Sequence, residues 1–299
     1  MPIATLNLNH LYTISNDSSS SETETHWTVV IPFFNERAFI ATTLESLATQ
    51  DVPFVLILID NGSTDGSGSA AAAACRRLGL RYTLLVERQP GKVNALTTGI
   101  AQVGTRYVAT CDADTAYPSD YLRQAGRLLD GGAVAAGACF VSPGADPQEQ
   151  ARAGRRIERA ATVFPRQCHT GGAGQVFRTA ALRRAGQFDS RRWGYVLEDH
   201  EIMHRIARLG AIAYSGAFRC TPSPRDRDRE SIRWTLGERL AYHLTPGIAR
   251  DWFFYSFLAR RLASRRLTSD RIRERAFQTQ DGAPQQSAHT ILQEGRLAA

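Results

Sequence analysis

An α/β fold, with a mostly parallel sheet covered by helices on both faces, is what this sequence predicts. Three observations predict it. Short, continuously apolar runs alternate with helix-like stretches over residues 27–114. The runs lack the polar alternation of a strand with one wet face, so both faces are expected to be covered. Polar clusters fall at the carboxyl ends of these runs, where open α/β sheets bind their ligands.

The elements follow in order. "WTVVIPFF" reads as a buried strand and "FIATTLESLATQ" as an amphipathic helix. "FVLILID" is a second strand, and "GSGSAAAAACRRLGL" a helix that stops at Gly79. "RYTLLVE" is a third strand, "KVNALTTGIAQV" a third helix and "RYVATCDAD" a fourth strand. The second half is less regular. "GGAVAAGACFVS" suggests a strand and "DPQEQARAGRRIERAATVF" a helix. "GAGQVFRTAALRRAG" is a strand running into a helix, and "LEDHEIMHRIARLG" a helix capped near Asp199 and stopped by Gly210. Residues 1–25 read as a polar, low-complexity tail, 26–225 as the main domain, 226–277 as a basic, aromatic helical region and 278–299 as a second tail.

Composition narrows the setting. The 299 residues are 43% hydrophobic and 22% charged, as in an ordinary globular protein, with a net charge of +7. That charge favours an anionic partner or reflects an arginine-rich composition. Five dispersed cysteines without a CxxC pair predict reduced thiols in a cytoplasmic setting. No basic-then-apolar leader and no run of 18 apolar residues is present, so neither a signal peptide nor a spanning helix is expected.

Four motifs carry chemistry. "IDNGSTDGS" (59–67) closes an apolar strand with side-chain oxygens and free amides before a helix start, which suits a ligand's polar edge; an ordinary strand-to-helix turn looks the same in isolation. "CDADT" places Asp112 and Asp114 two residues apart at a strand end, on one side of extended backbone. Two carboxylates there need compensation, and their hard oxygens suit Mg²⁺ or Mn²⁺ shared with phosphate and water. In "RQPGKVNALTTG", Lys92 is the single lysine against 35 arginines, and it starts a helix after Gly91. A compact ammonium there is suited to a diphosphate that the metal also holds. "EDHEIMHRI" contains His200-Glu201 and His204 in the HExxH pattern of zinc hydrolases, but no convincing third ligand follows beyond Glu230 or His243. The Glu198-Asp199 pair at the same helix start is the alternative centre, placed to take a proton from a hydroxyl.

In combination these motifs resemble the inverting family 2 glycosyltransferases with the GT-A fold. The likeness runs from "VVIPFFNE" (29–36) through "IDNGSTDGS", "GKVNAL", "DADT" and "GAGQVFRTAALRRAGQFD" (172–189) to "EDHEIMHRI" (198–206). It implies a Rossmann-like sheet with a helical C-terminal extension, a nucleoside-diphosphate sugar donor and a divalent cation. Pro32, Phe33, Asn35 and Glu36 would line the nucleoside pocket, and Asp60 and Asn61 would face the base. Asn61 departs from the usual second aspartate of the family, so the resemblance does not specify the base. Lys92 would lie by the diphosphate, Asp112 on the ribose side and as a second metal ligand, and Asp114 on the metal. Gly172, Ala173 and Glu198 would border the acceptor, and Asp199 would be the base of a single inverting displacement. "ESIRW" (230–234) is similar to the QxxRW element of processive members, with Glu230 for Gln, which places Arg233 and Trp234 on the acceptor side; an ordinary helix segment fits equally. Without spanning helices, transfer of one sugar is implied.

Two readings of "DWFFYSFLARRLASRRLTSDRIRERAF" (251–277) stand side by side. It is a helix packed across the domain with arginines in water, or an amphipathic helix on an anionic bilayer that brings the enzyme to a lipid-linked acceptor. A small-metabolite acceptor is the other option. The rival functions are a nucleotidyltransferase, whose Gly-rich basic loop "PFFNER" does not supply, a zinc hydrolase, and a basic nucleic-acid-binding module; no nucleic acid is expected under the favoured reading.

Overall fold

The structure, a computed structural model, describes residues 25–223 and 234–271 and the backbone of residues 14 and 15. In chain order the strands are β1 (Ile14–Ser15), β2 (Trp27–Phe33), β3 (Phe54–Asp60), β4 (Tyr82–Val86), β5 (Tyr107–Thr110), β6 (Thr115–Ala116), β7 (Ala135–Phe140), β8 (Gln175–Arg178) and β9 (Ile212–Pro222). The helices are α1 (Ile40–Ala48), α2 (Ser67–Leu78), α3 (Lys92–Ala101), α4 (Tyr121–Asp130), α5 (Pro147–Val163), α6 (Thr179–Arg184), α7 (Glu198–Ile206), α8 (Leu236–Leu244), α9 (Arg250–Trp252) and α10 (Ala259–Ser264). A π-helical stretch, Phe253–Leu258, joins the last two.

The strand order is β1-β4-β3-β2-β5-β8-β7-β9-β6. From β4 to β5 the sheet is parallel. Beyond β5 it is mixed: β8 runs antiparallel to both β5 and β7, and β9 is parallel to β7. The expected parallel sheet therefore holds for the first half, and the second half departs from it. β8, reached from β7 through α5, enters between β5 and β7 and runs antiparallel to both. The helix α4, the short β6 and the long β9 were not anticipated. Within the stretch expected to be a tail, Ile14–Ser15 pairs with β4. Without it β4 would present an open edge of unpaired amides and carbonyls.

The central strands β2 and β5 are buried on both faces because helices cover both. All seven residues of β2 are buried. Val29 and Ile31 pack with Leu44, Ala71 and Leu122 from α1, α2 and α4. Val30 and Ile59 point the other way, onto Leu96 of α3 and Ile202 of α7. Gly99 permits α3 to lie close to the sheet: a Cβ there would stand 2.6 Å from Ile59 Cδ1 and 2.8 Å from Val30 Cγ1. That close approach sets where Lys92, the first residue of α3, projects.

A third apolar cluster gathers Trp193, Tyr242, Phe253, Phe254, Leu258 and Leu262. Of the two readings of residues 251–277, the described part packs across the domain, with Phe253 and Phe254 inside and Trp252 and Tyr255 exposed. Glu238 of α8 is fully buried and holds Arg261 at 2.9 Å and Arg265 at 3.0 Å. Residues 272–277, the 278–299 tail, and residues 224–233 with Arg233 lie outside the described residues.

Candidate active site

The carboxyl ends of β2 and β3 lie side by side, with Phe33 opposite Asp60 in register. The chain leaves β2 through Asn35, at φ 54°, a left-handed conformation that asparagine tolerates better than most residues. Asn35 Oδ1 accepts from the Thr64 N–H at 2.9 Å, and the Glu36 N–H donates to Ser67 Oγ at 2.7 Å. Asp60 Oδ1 accepts from the Ser63 N–H at 2.7 Å. The "FFNE" and "DNGSTDGS" loops are thereby one tied unit. Pro32 and Phe33, expected to line the pocket, are buried within β2, and Phe33 belongs to the core; they shape this end of the sheet from beneath. Glu36 is also buried.

Asn61, expected to face the base, has its side chain bonded to the loop after β4. Its amide donates to the carbonyls of Glu87 at 2.9 Å and Gln89 at 2.8 Å, and its Oδ1 accepts from the Gly91 N–H at 2.8 Å. It is 3% exposed. An aspartate could not donate to those two carbonyls. Asn61 thus staples the loop that delivers Lys92. From far along the chain, Ser269 Oγ accepts from the Val93 N–H at 3.3 Å and occupies part of the α3 N-terminus.

Lys92 is the hub. Its Nζ donates to Asp112 Oδ1 at 2.6 Å and stands 3.6 Å from Glu198 Oε1. Burial by itself would favour the neutral amine, but Asp112, Glu198 and Asp199 outweigh it and push its pKa upward. The ammonium therefore stays charged across the physiological range.

Glu198 and Asp199 open α7, and Leu197 before them adopts φ 65°, strained for a leucine. Asp199 Oδ1 accepts from the His200 N–H at 2.8 Å and pairs with His200 Nδ1 at 2.9 Å. Burial would raise its pKa, but His200 and then Lys92 prevail and hold it below the ordinary aspartate value. Glu198 goes the other way: burial raises its pKa, opposed by Lys92 and aided by the charge of Asp199. Of the two neighbouring carboxyls, Asp199 is the one held toward its ionised form.

A glycine turn sits over this group. Gly172–Gly174 forms one 3₁₀ turn, anchored where Thr110 Oγ1 donates to the Gly172 carbonyl (3.1 Å) and the Tyr117 hydroxyl to the Ala173 carbonyl (3.0 Å). A Cβ at Gly172 would lie 3.1 Å from Lys92 Nζ, and one at Gly171 3.6 Å from Asp199 Oδ2. Gln175 Nε2 fixes the start of α7 by donating to the Asp199 carbonyl at 3.0 Å. Tyr117, Gln175, Leu197 and Ser269 escaped the sequence reading. Only the position of Gln175 inside the "GAGQ" motif offered a signal.

The donor set suits a divalent cation shared with a ligand. Asp112 Oδ2 has no hydrogen-bond partner among the described residues, and Asp114 lies two residues away, buried beside β6 with its carbonyl accepting from the Ser223 N–H at 2.7 Å. Among the described residues no three His, Cys, Asp or Glu converge as an all-protein metal cage. Two carboxylates completed by diphosphate and water are the pattern of Mg²⁺ or Mn²⁺. The zinc reading finds no such fit. Glu201, its would-be base, is locked in a buried two-pronged pair with Arg205 (2.8 Å and 2.8 Å), and His204 Nε2 pairs with Asp251 at 2.8 Å. All five cysteines are buried and unpaired.

Behind Asp199 a cleft of about 510 Å³ opens between α5, the His169–Gly171 loop, His200 and α8. Trp234 lines it, 5.2 Å from the His200 ring and stacked on Phe253.

Comparison with known proteins places this geometry. The sequence model of Glycosyl transferase family 2 matches residues 28–186. The chain belongs to that family. Among curated family members, the uncharacterized glycosyltransferase YaiP of Escherichia coli (strain K12) is 27% identical over 232 residues, 72% of this chain and 57% of that protein. An undecaprenyl-phosphate 4-deoxy-4-formamido-L-arabinose transferase of Serratia proteamaculans (strain 568) is 31% identical over 109 residues, 35% of this chain and 33% of that one. The chain thus spans a third to somewhat over half the length of these relatives. Among solved structures, the mannosyltransferase PcManGT from Pyrobaculum calidifontis in complex with GDP-Man and Mn²⁺ superposes with a TM-score of 0.61 at 25% identity, covering 77% of this chain and 65% of that one. The S. aureus TarS 1–349 complex with UDP-GlcNAc gives 0.54 at 16% identity over 80% of this chain and 73% of that one, a likeness of fold. The fold is that of the GT-A glycosyltransferases.

Proposed function

We propose that the protein transfers one sugar from a nucleoside-diphosphate sugar to an acceptor hydroxyl with inversion at the anomeric carbon. The observation that carries this reading is Asp199: a carboxylate held ionised by His200 and Lys92, beside the Gly171–Gly172 turn, with the ammonium of Lys92 a few ångströms from its neighbour Glu198. In this mechanism Asp199 takes the proton of the acceptor hydroxyl as that oxygen bonds to the anomeric carbon. The bond to the diphosphate breaks, and the leaving diphosphate keeps the electron pair. Lys92, its proton held at Nζ, sets a fixed positive charge beside that leaving group. Asp112 and Asp114 would hold Mg²⁺ or Mn²⁺, which when bound offsets diphosphate charge.

Asn35, Glu36 and Asp60, at the joined ends of β2 and β3, are assigned to the nucleoside, with Pro32 and Phe33 beneath them. Gly172, Ala173, Glu198, Trp234 and Arg233 are assigned to the acceptor side. The donor class is supported by the GDP-Man and UDP-GlcNAc of the structural neighbours. A lipid-linked acceptor is supported by the name of the undecaprenyl-phosphate transferase. No described helix is long and apolar enough to cross a membrane, and the proposed placement is cytoplasmic, reaching any lipid acceptor peripherally.

The test is calorimetric titration of UDP, GDP, CDP and dTDP with and without Mn²⁺. One nucleotide is expected to bind in a metal-dependent way, to be lost in Asp114→Ala and retained in Asp199→Asn. The latter is expected to lose about 10²- to 10⁴-fold in transfer rate. A folded protein that binds none of the four, or an Asp199→Asn variant that keeps its rate, would refute the reading.

A further inference from the structure

After α10 the chain returns to the group around Lys92. Arg266, at φ 55°, stops that helix. The Arg266 and Leu267 N–H groups donate back to the Ala263 and Leu262 carbonyls at 3.0 and 2.9 Å, a left-handed helix stop. Leu267 plants its side chain, 1% exposed, in the third apolar cluster. Residues 267–269 then form a strap between two segments far from each other in sequence. On one side the strap pairs with the residues that lead into α7. The Val196 N–H donates to the Leu267 carbonyl at 3.1 Å, the Ser269 N–H to the Gly194 carbonyl at 2.8 Å, and Tyr195 bridges Thr268 between them. Leu197, Glu198 and Asp199 follow directly. On the other side the strap lies on Gly91, where a Cβ would stand 2.9 Å from Ser269 Oγ and 3.1 Å from the Ser269 carbonyl carbon. Gly91 is the N-cap of α3 and has no side chain to satisfy the first-turn amides. Ser269 Oγ supplies the missing acceptor, taking the Val93 N–H at 3.3 Å, the amide that an N-cap serine ordinarily serves. Asn61 Oδ1 takes the Gly91 N–H, so both neighbours of Lys92 are held.

We infer that Ser269 is a positioning residue of the transfer reaction: through one strap it fixes the Lys92 ammonium and the Glu198-Asp199 start of α7 relative to each other. This rests on the reading of Lys92 as the charge beside the leaving diphosphate. Ser269 itself, 7% exposed, acts through the backbone on either side of it. A lysine stem is flexible, so the reach of Nζ is set by where α3 begins. With the cap in place that origin is fixed, and Nζ meets Asp112 at 2.6 Å and Glu198 at 3.6 Å. Without it the first turn of α3 frays, and the ammonium loses its fixed origin. A preorganised charge stabilises a leaving group more than one that must first be brought into place.

Lys92 is the single lysine of the chain, so protein grown with lysine carrying ¹³C at Cε gives one lysine resonance, and it reports this side chain directly. The resonance is recorded in wild type, Ser269→Ala, Ser269→Thr and Thr268→Ala. Each protein is measured alone and then with Mg²⁺ and the nucleotide selected by the calorimetric screen. Thr268→Ala is the structural control, since it alters the same strap at a hydroxyl without a hydrogen-bond partner among the described residues. In Ser269→Ala the resonance of the free protein is expected to leave its wild-type position, and nucleotide affinity to fall by about three- to tenfold, the size of a lost cap. Ser269→Thr, which keeps an accepting oxygen, and Thr268→Ala are expected to retain both. Ser269→Cys, which keeps the packing and weakens the acceptor, gives the same reading should the alanine variant fail to fold. A wild-type resonance and wild-type nucleotide affinity in Ser269→Ala, whatever its melting temperature, would mark a purely structural serine and overturn the inference. Equal displacement in Thr268→Ala, or no recovery in Ser269→Thr, overturns it as well. If wild type binds no nucleotide, the donor reading falls separately, and the resonance of the free proteins still decides whether Ser269 sets the place of Lys92.

Discussion

Replacing Lys92 with methionine keeps the apolar stem and removes the one charge that separates three carboxylates. In the structure Nζ stands 3.6 Å from Glu198 Oε1 and 2.6 Å from Asp112 Oδ1. At a separation near 3.6 Å, unit charges attract by about 1 kcal/mol with the dielectric constant of water and by about 4–5 kcal/mol at an effective value of 20. The Lys92 side chain is 34% exposed, so screening by water draws the Glu198 pair toward the lower figure. About 1.4 kcal/mol corresponds to one pKa unit. Losing the ammonium therefore lifts Glu198, already raised, further still, and Asp199 rises with it. A carboxyl whose folded pKa exceeds its unfolded value supports the native state at low pH and loses that support as pH rises through the folded pKa. The deficit of Lys92→Met against wild type is thus expected to grow by about 1 kcal/mol or more between about pH 4.5 and pH 7.5. Urea denaturation of both proteins at the two pH values measures it. A deficit that is equal at both, or larger at the lower pH, would refute the electrostatic account of Lys92.

Three further substitutions probe the frame around it. Gly172→Ala puts a methyl 3.1 Å from Lys92 Nζ, so the ammonium must give way by a few tenths of an ångström; nucleotide affinity is expected to fall while the melting temperature stays within about 2 °C. Gly99→Ala forces a Cβ to 2.6 Å from Ile59 Cδ1, and the overpacking is expected to cost about 1–3 kcal/mol in urea denaturation. Glu201→Gln leaves the buried Arg205 without its anion, with an expected loss of about 3–5 kcal/mol. Metal analysis of the purified protein should find no zinc tied to His200 and His204; zinc bound in stoichiometric amount and lost with His204→Ala would revive the hydrolase reading.

Much of the site was legible because its residues sit at strand ends. Lys92, Asp112 and Asp199 each follow an apolar strand or open a helix, and the sheet brings those ends together whatever the details of packing. Asn61 shows the limit. Its place after β3 suggested a ligand, and nothing local foretold that its three hydrogen bonds go to the Glu87–Gly91 loop. No local pattern distinguishes an asparagine that binds from one that staples. The HExxH pattern misleads for the same reason: spacing on a helix says nothing of Asp251 or Arg205 waiting as partners.

The sequence alone determined the alternation of elements, the parallel half of the sheet and the polar strand ends, because hydrophobic periodicity is a property of neighbouring residues. Tertiary structure decided the antiparallel second half, the capping of α3 by Ser269 across 176 residues, and the cleft that α5 and α8 close over His169. Those depend on which distant surfaces meet, and the free energy of such meetings is written in shape and charge across the chain rather than in any one stretch of it.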